Sequence, residues 1–329
     1  LRPAARSNPF PGETVHTSSK LKQLEEDKLF ARWMPVIAND PAFNANLSLR
    51  SRHFDIEGDS LLSWRPAPRE NLPVFLVHNA DMTGCGHYRM IKPFEAMQND
   101  GLAEGKAGMT LLNISEIGRF KPDSLIIQRR YSPAFHNWIE RTGKLHNVFK
   151  VFELDDYLLN VPMKHNNRQH FKQEITGQLR KSLTFFDRFV VSTAPLADAM
   201  SNMHPNIQVV KNRLPADIWA PLYSLRNQGR KPRVGWAGGS SHRGDLEMIV
   251  DIIKEFANDV EWVFLGMCPD KLRPYIHEYH QGVDIVLYPE KLASLNLDLA
   301  LAPVEDNIFN ACKSNLRLLE YGVCGIPVI

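Results

Sequence analysis

Hydrophobic residues in this chain fall into short unbroken runs, separated by stretches with helical spacing. From Pro73 onward the runs are PVFLVHNA (73–80), SLIIQRR, VFKVFELDD, RFVVST and IQVVKNRL (207–214), followed by PRVGWAGG, VEWVFLGM, VDIVLYP and LDLALAPV. Between them lie MIKPFEAMQNDG, residues 134–143, residues 168–184, DLEMIVDIIKEFAND and CKSNLRLLEYGVCG, whose apolar positions repeat with the period of an α-helix. Strands apolar on both faces that alternate with helices predict parallel sheets covered on both sides. The polar, basic segment ADIWAPLYSLRNQGRKP splits the series into two halves, each opening with a strand and a Gly-containing loop. The expected fold class is α/β, with two Rossmann-like doubly wound parallel-sheet domains facing a cleft.

The first seventy residues differ from the rest. Residues 1–16 are rich in Pro, Ser and Arg and read as a mobile tail. Leu21, Leu24, Leu29, Trp33 and Ile37 then recur at roughly helical spacing, predicting a helix from about Ser18 to Ala38 capped by Ser18 or Ser19. SWRPAPRENLP is a proline-rich connector. The expected organisation is a helical N-terminal extension (1–70), a first domain (71–217), a linker (218–231) and a second domain (232–329). The final IPVI starts a strand and leaves a sheet unfinished, which suggests part of a longer protein.

Composition narrows the function. The 329 residues carry 39 Lys+Arg against 37 Asp+Glu, a formal charge of +2. That balance argues against a nucleic-acid groove, though a local basic pocket fits it. Cys85, Cys268, Cys312 and Cys324 are scattered without metal-site spacing and read as reduced thiols of a cytoplasmic protein. No apolar run approaches the ~20 residues that span a bilayer. Neither a spaced acidic pair nor a His pair with a Glu suggests a catalytic metal, so no metal cofactor is expected.

In open parallel sheets ligands gather beyond the carboxyl ends of strands, which makes the strand exits the places to search. The first exit, Asp81 to Arg89, contains Gly84 and Gly86 before a helix N-terminus; the plain alternative is a turn that needs glycine. The second, Gly235 to Asp245, places Gly238, Gly239, Ser240 and His242 before Arg243, whose guanidinium suits a diphosphate. A solvated Arg243 and a helix-capping Asp245 are the alternative there. Neither exit has the complete GxGxxG fingerprint.

The third exit, Pro303 to Tyr321, carries Glu305 and Asp306 and predicts a helix from near Lys313. Lys313 and Glu320 would then share one helix face about 10 Å apart at 1.5 Å per residue, roughly the span from a diphosphate to the far side of a ribose. The alternatives are a solvated Lys313 and a surface Glu320 paired with Arg317. The fourth exit, Glu153 to Tyr157, carries Asp155 and Asp156, which suit either an acceptor hydroxyl and a developing oxocarbenium charge or a helix cap. Arg129 and Arg130, at another exit, read as a solvated pair.

Asn310-Ala311-Cys312-Lys313-Ser314, Leu319-Glu320-Tyr321 and Gly325-Ile326-Pro327-Val328-Ile329 together resemble the donor-binding half of GT-B glycosyltransferases, in particular the bacterial group active in polysaccharide and O-antigen assembly. VGWAGGSSHRGDL is similar to the first strand and loop of that domain, and GCGHYRMIKPFEAM, KVFELDDYLLNVP, VVSTAPLADAM and VVKNRLPADIW are similar to parts of the first domain. DPAFNANLSL is similar to a lead-in of the same group, so the resemblance covers nearly everything after about residue 30. By position it implies that Glu320 binds the donor ribose, that Arg243 and Lys313 contact the pyrophosphate, and that Gly84 and Gly86 approach from the opposite domain. The donor-binding set expected is Gly84, Gly86, Arg89, Gly238, Gly239, Ser240, His242, Arg243, Lys313, Ser314, Asn315 and Glu320, with Glu305, Asp155 and Asp156 as catalytic candidates. Two positions depart from the group: Cys312 stands where many relatives carry a second Glu, and Asp155 where many carry a His.

The activity implied is transfer of a sugar from a nucleoside diphosphate sugar to a glycan or lipid-linked acceptor, without a metal and with retention of configuration. Peripheral membrane association at the inner face is a further expectation. UDP-sugar 2-epimerases share this architecture, and a non-catalytic scaffold domain is the third alternative.

Overall fold

The computed structural model describes residues 11–50, 55–59, 62, 72–161, 175–229 and 231–329. Six parallel strands form the first sheet: β1 (Val74–His78), β2 (Glu104–Ala107), β3 (Ser124–Gln128), β4 (Phe149–Leu154), β5 (Arg188–Val191) and β6 (Ile207–Val209), in the order β2-β1-β3-β4-β5-β6. Four more parallel strands form the second: β7 (Arg233–Gly238), β8 (Glu261–Gly266), β9 (Glu278–His280) and β10 (Leu299–Ala300), in the order β10-β7-β8-β9. Val328 forms an isolated parallel bridge with Ala300 on the outer side of β10. Both sheets reverse direction of growth beside their first strand. The crevices this creates lie at the exits of β1 and β3 in one sheet and of β7 and β10 in the other.

The apolar runs explain this arrangement. In β4, Phe152 and Leu154 are fully buried; Phe152 packs edge-on against Phe186 and Phe189, beneath helices Pro133–Leu145 and Ile175–Leu183. The second core gathers Trp236, Phe264, Trp262 and Leu246 on one face of its sheet and Val263, Leu265, Leu297 and Tyr321 on the other. Asn113 and Ser132 serve helix N-termini: Asn113 closes a capping box with Glu116, and Ser132 accepts from Phe135 N–H.

Several expectations are corrected. VDIVLYP is not a strand: Val283, Val286 and Leu287 are exposed, Asp284 turns the chain by accepting from Val286 N–H, and Pro289 enters the first turn of helix Tyr288–Ala293. The neighbour of β8 is instead Glu278–His280. The N-terminal helix runs Pro11–Asn39, so Ser18 and Ser19 lie inside it and are not its cap. DLEMIVDIIKEFAND is broken into Arg243–Glu247 and Val250–Glu255. The last helix is Leu316–Val323, with Lys313 in the turn before it. β2 (EGKA) is a half-buried edge strand without an apolar pattern to announce it. Residues 1–10, 63–71 and 168–174, which bear on the tail, the connector and the start of one helix, lie outside the described residues.

The N-terminal helix packs on the first domain. Met34 meets Gly118 of helix Ile114–Phe120, and Arg119 Nε donates to Ala38 O at 3.2 Å. Arg141 bonds Glu26 at 2.6 Å and also Asp27. Because β4 delivers Glu153, Asp155 and Asp156 to the exit described below, its core anchor is a test of the scaffold. Phe152→Ala is expected to cost about 3–5 kcal/mol, read as a fall in the urea midpoint with an unchanged m-value.

Candidate functional site

At the exit of β1 a carboxylate shapes the loop. Asp81 Oδ1 accepts from Thr83 N–H (2.9 Å), Thr83 Oγ1 (2.8 Å) and Gly86 N–H (3.1 Å), and these bonds hold its carboxyl below the usual range against the opposing effect of burial. Gly86 is required here: a Cβ would sit 1.8 Å from Asp81 O. Gly84, by contrast, faces open space. The chain then passes through a π-helical segment, His87–Ile91, before helix Lys92–Asn99.

Arg89, expected to touch the donor, is a buried strut. Its Nε bonds Glu153 Oε1 at 2.6 Å, and its Nη1 bonds Asn212 Oδ1 at 2.9 Å and Val210 O. Gln128 Nε2 donates to the other Glu153 oxygen at 2.8 Å. Asn212 Nδ2 in turn donates to Ser314 Oγ at 2.7 Å, so this network runs from the exits of β3, β4 and β6 into the second domain. Cys312 crosses the same boundary. It is buried in the first domain's core cluster, and its carbonyl accepts from Thr193 Oγ1 at 2.7 Å.

Arg129 is not a solvated cation. At φ +49° it turns back to bond Asp81 Oδ2 at 2.5 Å and approaches Asp155 at 3.7 Å. Arg130 donates to Met109 O at 2.6 Å. Cys85, Asp155 and Asp156 converge within 4.8 Å of one another, the one group among the described residues with donors for a metal ion. Burial and Asp155 push the Cys85 thiol well up, and Arg129 already supplies positive charge to this spot. Burial, reinforced by Asp155, pushes the Asp156 carboxyl up to about 7, against the pull of Lys313 and Arg129.

On the second domain's side, β7 ends in Gly238 and Gly239, followed by a 3-10 turn, Ser240–His242, and helix Arg243–Glu247. Arg243, the expected phosphate ligand, has its side chain 51% exposed and leans toward Glu247 at 3.4 Å. The guanidinium at this exit belongs to Arg317, which lies over the Trp236 ring at 5.0 Å. Gly238 leaves room for it, since a Cβ there would stand 2.6 Å from Arg317 Nη2. Lys313 lies over Phe309 at 4.9 Å, half-buried, with its pKa lowered by burial and more weakly by Arg317, against the pull of Asp156 and Asp245. Neither cation has a carboxylate within ion-pair distance among the described residues. His242 stands beside both, and burial, aided by their charges, lowers it to about 4.

Asp245 is also buried. Its Oδ2 contacts His242 Nδ1 at 2.8 Å, and its Oδ1 accepts from Glu305 N–H at 2.8 Å and Asn310 Nδ2 at 2.9 Å. The Glu305 side chain lies against Gly244. Asn315 is the N-cap position of the last helix. Glu320, one turn beyond Arg317, is only 6% exposed, which excludes the surface pairing. Tyr288 OH donates to its Oε2 at 3.2 Å. The Tyr88 hydroxyl of the first domain also faces it, and burial pushes its carboxyl up to about 7.

No protein-family model matches the sequence, and no curated protein matches it. Solved structures do resemble this chain in fold. An alpha-glucosyltransferase (AGT) in complex with UDP superposes with a TM-score of 0.53 at 9% identity, covering 78% of this chain and 79% of its own. A sucrose-phosphate synthase from Thermosynechococcus elongatus gives 0.53 at 11% identity, with 78% and 80% covered. The chain has the GT-B fold. In GT-B terms, Lys313, Arg317, His242 and Glu320 stand at the switch point of the second domain, and Asp81, Cys85, Arg129, Asp155 and Asp156 at that of the first. Arg317 and Arg129 are the residues that sequence reasoning missed. Only the ring of Trp236 and the left-handed turn at Arg129 reveal them.

The unfolded chain ionises Glu320 near the ordinary 4.5, whereas the folded chain holds the proton to about 7. Stability therefore falls as pH rises through that window and is constant above it. Glu320→Gln is expected to gain at least about 1 kcal/mol relative to the parent between pH 5 and pH 7.5, measured by urea unfolding at the two pH values.

Proposed function

We propose that this protein is a glycosyltransferase that moves a sugar from a nucleoside diphosphate sugar to a glycan or lipid-linked acceptor, with retention and without a metal. The observation that carries the reading is the pair Lys313 and Arg317. Two half-buried cations lie close together, each seated on an aromatic ring and neither within ion-pair distance of a described carboxylate; Asp156 and Asp245 attract Lys313 only from farther off, which leaves both charges open to an anion. A diphosphate fits that demand, and the buried acid Glu320 lies one turn farther along for the ribose hydroxyls. The fold supports the same assignment, since one structure that shares it holds UDP.

Catalysis in this reading is electrostatic. Lys313 and Arg317 stabilise the charge that gathers on the leaving diphosphate as the glycosidic bond loosens. Asp155 and Asp156, across the domain boundary from Lys313, offset positive charge on the sugar or receive the acceptor hydroxyl, with Asp156 titrating near neutrality. Asn212–Ser314 and Thr193–Cys312 join the two domains beside these groups.

The test is a thermal-shift screen with UDP-, GDP-, ADP- and dTDP-sugars, followed by titration of the strongest binder. Lys313→Ala and Arg317→Ala are each expected to weaken binding at least about tenfold, the loss of one charge-assisted contact, and Arg243→Ala to leave it unchanged. Conversion of the free nucleotide sugar without an acceptor would identify an epimerase. Absence of binding to any of the four donors would leave the scaffold reading.

A further inference from the structure

The proposed diphosphate seat leaves one buried carboxylate without a role. Asp245 is 4% exposed and joins three segments: the turn after β7 through His242, its own helix, and the 305–310 loop through Glu305 N–H and Asn310 Nδ2. Asn310 Nδ2 also donates to Glu305 O at 2.9 Å, so the loop is tied to Asp245 at two points and closed on itself. Capping a helix needs none of this, and Asp245 lies within the first turn of Arg243–Glu247 instead of preceding it.

The bond to His242 has a chemical consequence. A carboxylate only accepts, so the hydrogen in the 2.8 Å contact sits on His242 Nδ1. With Lys313 and Arg317 both close, the ring stays neutral. A neutral imidazole committed as a donor at Nδ1 offers only a lone pair at Nε2, and that atom makes no hydrogen bond to a described residue. The ring is held in place edge-on to Trp236, at 6.0 Å between centroids. A phosphate oxygen is itself an acceptor and gains nothing from that lone pair, whereas a hydroxyl does.

We propose that Asp245 is a positioning residue that fixes His242 as the Nδ1–H tautomer, so that His242 Nε2 accepts a hydrogen bond from a hydroxyl of the donor's sugar beside the diphosphate. The inference rests on the glycosyltransferase reading above. It assigns the sugar end of the donor to the turn after β7, and the diphosphate to Lys313 and Arg317. Asp245 acts on the sugar only through the ring it holds, in the manner of outer-shell carboxylates that orient ligating histidines.

The experiment compares the strongest-binding nucleoside diphosphate sugar of the four-donor screen with its sugar-free nucleoside diphosphate. Asp245→Asn keeps an oxygen for the 305–310 loop and places an amide N–H against the ring, which reverses the tautomer. Proton-detected nitrogen NMR of the imidazole should show Nδ1–H in the parent and Nε2–H in the variant. Affinity for the nucleotide sugar should fall about tenfold, the loss of one hydrogen bond to a site built for a hydroxyl, while affinity for the free nucleoside diphosphate stays within about twofold. His242→Gln retains an acceptor near the Nε2 position; in that background Asp245→Asn should change the sugar selectivity no further. An unchanged tautomer, or equal weakening of both ligands, overturns the inference and makes Asp245 a loop tie alone. Failure of the parent to bind any of the four donors overturns the glycosyltransferase reading itself, a different result from binding without sugar selectivity.

Discussion

The seating of Lys313 and Arg317 on aromatic rings is the constraint around which the second domain's switch point is arranged. Each charge is partly withdrawn from water, neither is within ion-pair distance of a described carboxylate, and each is supported by the face of an aromatic ring. A ring face attracts a cation by about 0.5–2 kcal/mol without neutralising it. The charges therefore remain available, which an ion pair would not allow. Gly238 gives Arg317 its room, Trp236 gives it a floor, and burial of that floor in the sheet fixes both.

The first domain meets this seat through polar contacts instead of a broad apolar face. Arg89 spends its guanidinium on Glu153, Val210 and Asn212, and Asn212 passes the connection to Ser314, next to Lys313 in the chain. Tyr88, the neighbour of Arg89 in the π-helical segment, goes the other way and packs with Trp219 and Tyr321 in the second domain's core cluster. Adjacent residues of one irregular turn thus reach both the Lys313 side and the Glu320 side of the site. Extra helical residues of this kind alter the directions in which side chains project, and they recur at functional sites. Cys312 completes the boundary as an apolar contact, and a carboxylate at this position would be buried in the first domain's core.

The strand runs were legible because burial on both faces leaves a continuous apolar stretch, and eight of the nine runs are strands. VDIVLYP misled because an apolar run of seven residues does not distinguish a strand from an exposed turn leading into a helix, and the decisive residue, Pro289, is compatible with either start. EGKA went unseen because an edge strand needs pairing along only one side and little burial. Of the site, Lys313 and Glu320 were legible by resemblance, although the premise of a shared helix fails at Asn315, where the helix is capped. Arg243 and Arg317 could not be ranked from sequence. Both are cations near a strand exit, and only tertiary packing shows one leaning toward Glu247 in solvent and the other lying on Trp236.

Most of the alternation of strands and helices, the two halves and the strand exits at which chemistry gathers were determined by the sequence alone, because local periodicity and glycine placement are properties of neighbouring residues. The tertiary structure decided which charges stay unpaired. Whether Arg317 lies on Trp236, whether Glu320 is solvated, and whether Asp245 ties down the 305–310 loop all depend on segments 32 or more residues apart. Desolvation and Coulomb interaction act through space, and no local pattern encodes their outcome.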